Sequence, residues 1–379
     1  MQPCVSFIVA STLAGGLLLV ACGSSGGGGG GDVNLGDGGT ASSSSGSNHD
    51  GGTVEADGGS GFEYDSGSAG DSASSSDGPA SAGDSGQGTS GDGAATGSIG
   101  PYGSAGPATV TTTSFSVTSP NTTFTTDAYI PSGAGPFPVV ILSSGFFQTA
   151  AGYAPYAERL ASWGVVTFLR DDPNLAEGTP AVVSDVEYTV DTWLSTTNSD
   201  SSSALYKKLD LTRVGLAGHS RGGQIALLAG EGLKGKILGI FGLDPVDQST
   251  GSDPEARTTL ATVGVPLAFI GETTDSAASS CAPAADNYEV LYAAASSPAV
   301  AMTAIDADHT MFEDAANCTL CTVCTAGTAK QTLVLATAVR YLTAFFAREL
   351  LGVATVGAAF QGAGANQDVA AGIITIESK

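Results

Sequence analysis

The segment Gly218-His219-Ser220-Arg221-Gly222-Gly223 carries the strongest chemical signal in the chain. It follows a short apolar stretch, Val214-Gly215-Leu216-Ala217, and precedes a small-residue stretch from Gln224 to Gly230. A G-x-S-x-G pattern between a strand and a helix is a nucleophile elbow, a tight turn that lifts a serine hydroxyl above a sheet edge. The positions two before and two after the serine must be small, because helix and strand pass closely there. The bland alternative is a glycine-rich turn with a bystander serine.

A serine nucleophile needs a base, and a neutral imidazole is the usual one. The chain has three histidines, so elimination works. His49 lies in a low-complexity stretch. His219 adjoins the serine, where a side chain is expected to project away from the hydroxyl. That leaves His309, in Ile305-Asp306-Ala307-Asp308-His309-Thr310-Met311-Phe312. An acid that orients the imidazole has two candidates. Asp244 follows the apolar run Phe241-Gly242-Leu243, and Asp275 follows Ile270-Gly271-Glu272-Thr273-Thr274. Either could instead cap a turn. An oxyanion needs two main-chain donors. The N–H of Arg221 is one candidate, and that of Phe146, in Ser143-Ser144-Gly145-Phe146-Phe147, is the other. Phe146 and Phe147 are also candidates to line a substrate pocket or to be plain core. This chemistry requires no metal and no organic cofactor.

Alternation of strands and helices must position these residues. Val110 to Val117 and Thr122 to Ile130 read as antiparallel strands. Short apolar runs at Pro138–Leu142, Val165–Leu169, Arg213–Leu216, Ile237–Phe241, Pro266–Ile270 and Ala299–Ile305 read as buried strands. Helical patterns occupy Tyr153–Trp163, Val182–Thr197, Gln224–Gly232 and Asn287–Ala295, and Gln331–Leu351 closes the domain. The expected fold class is α/β, a mostly parallel sheet with helices on both faces.

Composition limits the alternatives. The 379 residues include 13 Lys+Arg and 37 Asp+Glu, for a net charge of -24. Such a polyanion repels phosphate backbones, so nucleic acid is excluded as a partner, and an electrostatic grip on anionic lipid is excluded with it. Residues 23–107 hold about half of the 54 glycines, eleven acidic residues and no Lys or Arg. They read, with Cys22, as a disordered tether over 22–107, because they cannot bury enough apolar surface to offset ordering entropy. A coil of that length spans on the order of 50 Å. The folded domain is expected over 108–379.

Val5 to Ala21 is uncharged, mostly apolar and short for a membrane span. It ends in Leu19-Val20-Ala21-Cys22, which resembles the lipobox of bacterial lipoproteins. That resemblance implies a signal peptide over 1–21, lipidation of Cys22 and a membrane anchor through that lipid. Gly23 and Ser24 after the cysteine, with no Asp, point by the same analogy to the outer membrane. Cys281, Cys318, Cys321 and Cys324 would then sit in an oxidising compartment, where two disulfides of unknown pairing are expected. A thiolate metal site is the weaker alternative for these four.

Gly218-His-Ser-Arg-Gly-Gly223, Leu243-Asp-Pro-Val246, Cys281-Ala-Pro283 with Asn287 and Glu289, and His309-Thr-Met311 together resemble the chlorophyllase-like branch of the α/β-hydrolases. The resemblance runs over roughly 108–352. Polyester-degrading cutinases and platelet-activating-factor acetylhydrolases look like more distant relatives. The resemblance implies an α/β-hydrolase fold and a serine hydrolase of carboxylic esters. Relatives often carry His-Gly and an aromatic in the oxyanion loop, where this chain has Ser144-Gly145-Phe146. The chlorophyllase pattern assigns the acid to Asp244, the preferred choice, whereas a cutinase-type layout selects Asp275. The expected substrate is a small-molecule or polymeric ester, and the expected state a monomer. An acyltransferase, or a non-catalytic surface module that kept the fold for binding, are the alternatives.

Overall fold

The computed structural model describes residues 100–171, 177–248, 253–277, 279–318, 321–360 and 367–379. Residues 1–99, which carry the expected signal peptide, Cys22 and most of the expected tether, lie outside the described residues.

The elements alternate as the apolar runs require. In chain order they are β1 (Val110–Thr118), β2 (Thr123–Pro131), β3 (Phe137–Ser143), α1 (Ala154–Ser162), β4 (Val166–Arg170) and α2 (Thr179–Tyr188). A wider helical turn at Thr189–Trp193 leads into α3 (Leu194–Ser199), so one helical pattern becomes three linked pieces. Then come β5 (Leu209–His219), α4 (Arg221–Gly232), β6 (Gly239–Leu243), β7 (Leu267–Gly271), α5 (Tyr288–Ala294), β8 (Ala299–Ala304), α6 (Gln331–Leu351), α7 (Gln367–Ala370) and β9 (Ile374–Ser378).

These strands form one nine-stranded sheet in the order β1-β2-β4-β3-β5-β6-β7-β8-β9. The six strands from β4 to β8 run parallel, while β1, β2 and β9 pair antiparallel at the edges. Period-two alternation sends successive side chains to opposite faces. Val140, Leu142, Ala217, Phe241 and Ile270 pack with Tyr156, Tyr341 and Phe345 of α1 and α6. Val139, Ile141, Leu216, Ile240 and Phe269 pack with Val182, Ile225 and Leu291 of α2, α4 and α5. Burial on both faces explains why the central strands read as continuous apolar runs rather than alternating ones.

Three boundaries differ from the sequence expectation. Residues 100–107, assigned to the tether by composition, belong to the fold. Tyr102 is buried, its ring meets Trp163 edge-on at 4.9 Å, and Gly106 N–H donates to Ser162 Oγ at 2.8 Å. Glycine-rich composition masked one anchoring tyrosine. Strand β5 begins at Leu209, four residues earlier than expected, because its first turns carry exposed or half-exposed polar residues. The domain closes not on α6 but on β9, which has a single buried residue, Ile374, and so little apolar signal.

The four cysteines form two disulfides, Cys281–Cys324 and Cys318–Cys321. The first links residues 43 apart and ties the loop after β7 to the loop after His309. A bridge of that span contributes about 2–4 kcal/mol, chiefly by restricting the unfolded chain.

Candidate active site

Phe146, Phe147, Ser220, Arg221, Asp244, Asp275 and His309 follow the carboxyl ends of parallel strands. The register aligns Ser143 with Gly218 and Gly218 with Gly242, so those ends form one edge. Open α/β sheets bind ligands at that edge.

Ser220 sits between β5 and α4 with φ 56° and ψ -125°, a conformation that costs a non-glycine residue about 1–3 kcal/mol. The turn is as tight as the motif demands. A Cβ on Gly218 would lie 2.1 Å from Gly222 O, and one on Gly222 would lie 2.2 Å from Ser143 O. Both small positions of the G-x-S-x-G pattern are therefore sterically imposed. Ser220 N–H donates to Leu243 O at 3.1 Å, and Val246 N–H donates to Ser220 O at 3.1 Å. The elbow is thus stitched to the end of β6, where Asp244 stands.

His309 follows β8 and is buried, as is Asp244. His309 Nδ1 lies 2.6 Å from Asp244 Oδ2. The carboxylate accepts, so this contact places the proton on Nδ1 and leaves the Nε2 lone pair free to accept. Asp244 itself has φ 38°, a second left-handed non-glycine residue at the site. Burial pushes its carboxyl above the ordinary range, against the opposing pull of the His309 hydrogen bond. Asp275 is half-buried and takes a different partner, since Asn287 Nδ2 donates to its Oδ2 at 3.3 Å. The geometry brings Asp244 to His309 and leaves Asp275 with the start of α5.

The loop after β3 comes close to the elbow. A Cβ on Gly145 would lie 3.2 Å from Ser220 Cβ. Phe146 follows directly, and its N–H has no acceptor among the described residues. Arg221 opens α4, so its N–H belongs to the first turn, where no intrahelical carbonyl is available. Phe146 and Phe147 are not core, since each ring is 39 % exposed. They meet edge-on at 4.4 Å, and the Arg221 guanidinium lies 5.8 Å from the Phe146 ring centre. Together they give the mouth of the site an aromatic rim.

Sequence reasoning missed four buried residues around this edge. Asp308 accepts from Thr310 N–H at 2.9 Å and from Gly327 N–H at 2.7 Å, which pins the His309 turn to the disulfide loop. Glu272, after β7, has its carboxyl pushed up to about 7 by burial and then by the Asp244 charge. Tyr153 hydrogen-bonds His219. Glu313 lies fully buried, and burial pushes its carboxyl up to about 8. An acidic residue following an apolar motif gives no sequence signal that it is buried. His219, expected to point away from the serine, is 1 % exposed, and burial pulls its imidazole well below the ordinary value.

Glu313 Oε1 lies 3.5 Å from His219 Nδ1, yet the two shifts keep both groups neutral at pH 7 and no ion pair forms. This has a consequence for stability. The Glu313 carboxyl holds its proton up to about pH 8 in the fold, against 4.5 as its ordinary value. Between those values the unfolded chain binds fewer protons, so stability falls as pH rises. Glu313→Gln removes that slope. Relative to the parent, the variant gains stability steadily from pH 5 to 8, by about 3–4 kcal/mol in all, at about 1.4 kcal/mol per pH unit. Urea unfolding at pH 5, 6.5 and 8 measures it, and a difference that does not change with pH contradicts the assignment.

Comparison with known families matches a family model described as Chlorophyllase over residues 100–361. No curated protein matches the chain.

Proposed function

The chain belongs to the chlorophyllase family, an α/β-hydrolase family, and from that premise we propose that it is a serine esterase working through an acyl-enzyme. Ser220 is the nucleophile, His309 the general base and Asp244 the acid that orients it. The observation that carries this reading is the 2.6 Å contact from His309 Nδ1 to Asp244 Oδ2, beside a serine held in a strained elbow.

The steps follow from the groups. Nε2 of His309 takes the Ser220 proton as Oγ attacks the ester carbonyl, and Asp244 stabilises the imidazolium that results. The N–H groups of Arg221 and Phe146 receive the alkoxide. Collapse returns the proton from His309 to the leaving alcohol. Water, deprotonated by the same imidazole, then clears the acyl group.

The half-exposed Phe146 and Phe147 rings favour an apolar ester presented at an open surface. The sequence Leu19-Val20-Ala21-Cys22 supports delivery as a lipoprotein, with the domain tethered to a membrane, an arrangement suited to extracellular esters. We therefore favour a generic carboxylic, lipid or polymeric ester over a pigment. Parallel assays on short-chain p-nitrophenyl esters, a polyester film and chlorophyll test this. Hydrolysis of the first two with slower action on chlorophyll is expected. Cleavage of chlorophyll alone overturns the substrate preference, and activity that requires an alcohol acceptor identifies an acyltransferase instead.

A further inference from the structure

His219 precedes Ser220 in the chain, and both of its ring nitrogens are occupied. Nε2 lies 3.0 Å from His309 O, and Nδ1 lies 2.8 Å from the Tyr153 hydroxyl. A carbonyl oxygen can only accept, so Nε2 carries the hydrogen and donates. A neutral ring then has its lone pair on Nδ1, which accepts from the Tyr153 hydroxyl. The same hydroxyl oxygen accepts from Gly145 N–H at 3.1 Å. Every direction is fixed. One chain of hydrogen bonds runs from Gly145 N–H through Tyr153 and His219 to the His309 carbonyl.

The ends of that chain are the two loops the reaction needs. Gly145 directly precedes Phe146, the proposed oxyanion donor, and His309 is the proposed base. The middle member is bonded to the nucleophile residue itself. We propose that His219 and Tyr153 are positioning residues that hold the oxyanion loop and the general base in register with Ser220. The proposal rests on the assignment of Ser220 and His309 made above.

The surroundings keep the bridge intact. Three titratable groups face the His219 ring. Tyr153 is buried and keeps its proton, because burial pushes its hydroxyl well above the ordinary value. Glu313 stays neutral at pH 7 by the same cause. The His309 ring stacks on His219 with centres 4.5 Å apart and a 31° tilt. When His309 becomes cationic during the reaction, that charge further disfavours protonation of His219. The Nδ1 lone pair therefore remains available to Tyr153 through the catalytic cycle. Misplacement of a reacting group by about 1 Å can cost on the order of 100-fold in rate.

The test uses the full chain and p-nitrophenyl acetate. Tyr153→Phe removes one oxygen, and His219→Asn removes the donor to His309. Each is expected to lower kcat about 10- to 100-fold, with KM changed less than about threefold. The double variant should be no slower than the slower single variant, because either change breaks the same chain. His219→Gln, whose amide can still donate to the His309 carbonyl, should recover part of the loss. Tyr153→Phe within about twofold of the parent kcat overturns the proposal. So do losses that multiply in the double variant, or a change confined to KM. If the His219 variants fold poorly, the kcat of Tyr153→Phe decides alone. Ser220→Ala separates the two claims. Full activity there removes the underlying assignment, whereas loss there with full activity in Tyr153→Phe removes only the positioning role.

Discussion

Ser220→Ala is expected to lower kcat on p-nitrophenyl esters by about 10⁴- to 10⁶-fold, equivalent to roughly 5–8 kcal/mol of barrier. The size follows from the absence of a substitute. Ser144 is buried at 2 % exposure, and the other residues at the elbow are glycines, His219 and Arg221. The alanine variant keeps the fold, because Ser220 enters the hydrogen-bond network of the elbow through its main chain. His309→Ala should lose a similar factor, and the two losses should not multiply, since the base acts only through the nucleophile. Steady-state kinetics on the three proteins measures this. Ser220→Ala within tenfold of the parent contradicts the nucleophile assignment.

The second large effect separates the two acids. Asp244→Asn is expected to reduce kcat about 10³- to 10⁴-fold, while Asp275→Asn stays within about threefold. An amide at position 244 can present its nitrogen to His309 Nδ1. The imidazole then carries its hydrogen on Nε2 and cannot accept the serine proton. Asp275 binds Asn287 at the start of α5, so its loss should loosen a loop without changing the tautomer of His309. Kinetics across pH 6 to 9 exposes the difference. A large loss in Asp275→Asn with a small one in Asp244→Asn would reverse the roles.

The α/β class and the placing of most strands were legible because buried parallel strands are short apolar runs with little ambiguity. The elbow was legible for a steric reason, since Gly218 and Gly222 are where a Cβ would strike the main chain. His309 was reachable by elimination, because the chain has only three histidines. Position alone did not separate Asp244 from Asp275, because each follows the end of a neighbouring strand, and the preference for Asp244 came from the family resemblance. Only the turn at Asp244, with its positive φ, directs one of them at His309. Tyr153 and Glu313 were invisible for a related reason. They meet His219 across 66 and 94 positions of sequence, and neither residue belongs to a motif. The exposure of Phe146 and Phe147 was equally open, because adjacent aromatics read the same in a core and on a rim. Tyr102 and β9 were missed because a single buried side chain is too little signal against polar neighbours.

An activated serine at position 220 underlies the whole mechanism. The most direct measurement is labelling of the full chain by a fluorophosphonate probe, with Ser220→Ala and His309→Ala beside it and the modified peptide identified by mass spectrometry. Stoichiometric labelling is expected on the peptide that carries Ser220, with none in Ser220→Ala and a greatly slowed rate in His309→Ala. A folded protein that resists the probe, or one labelled equally in Ser220→Ala, would contradict it and leave the elbow as inherited architecture on a binding module.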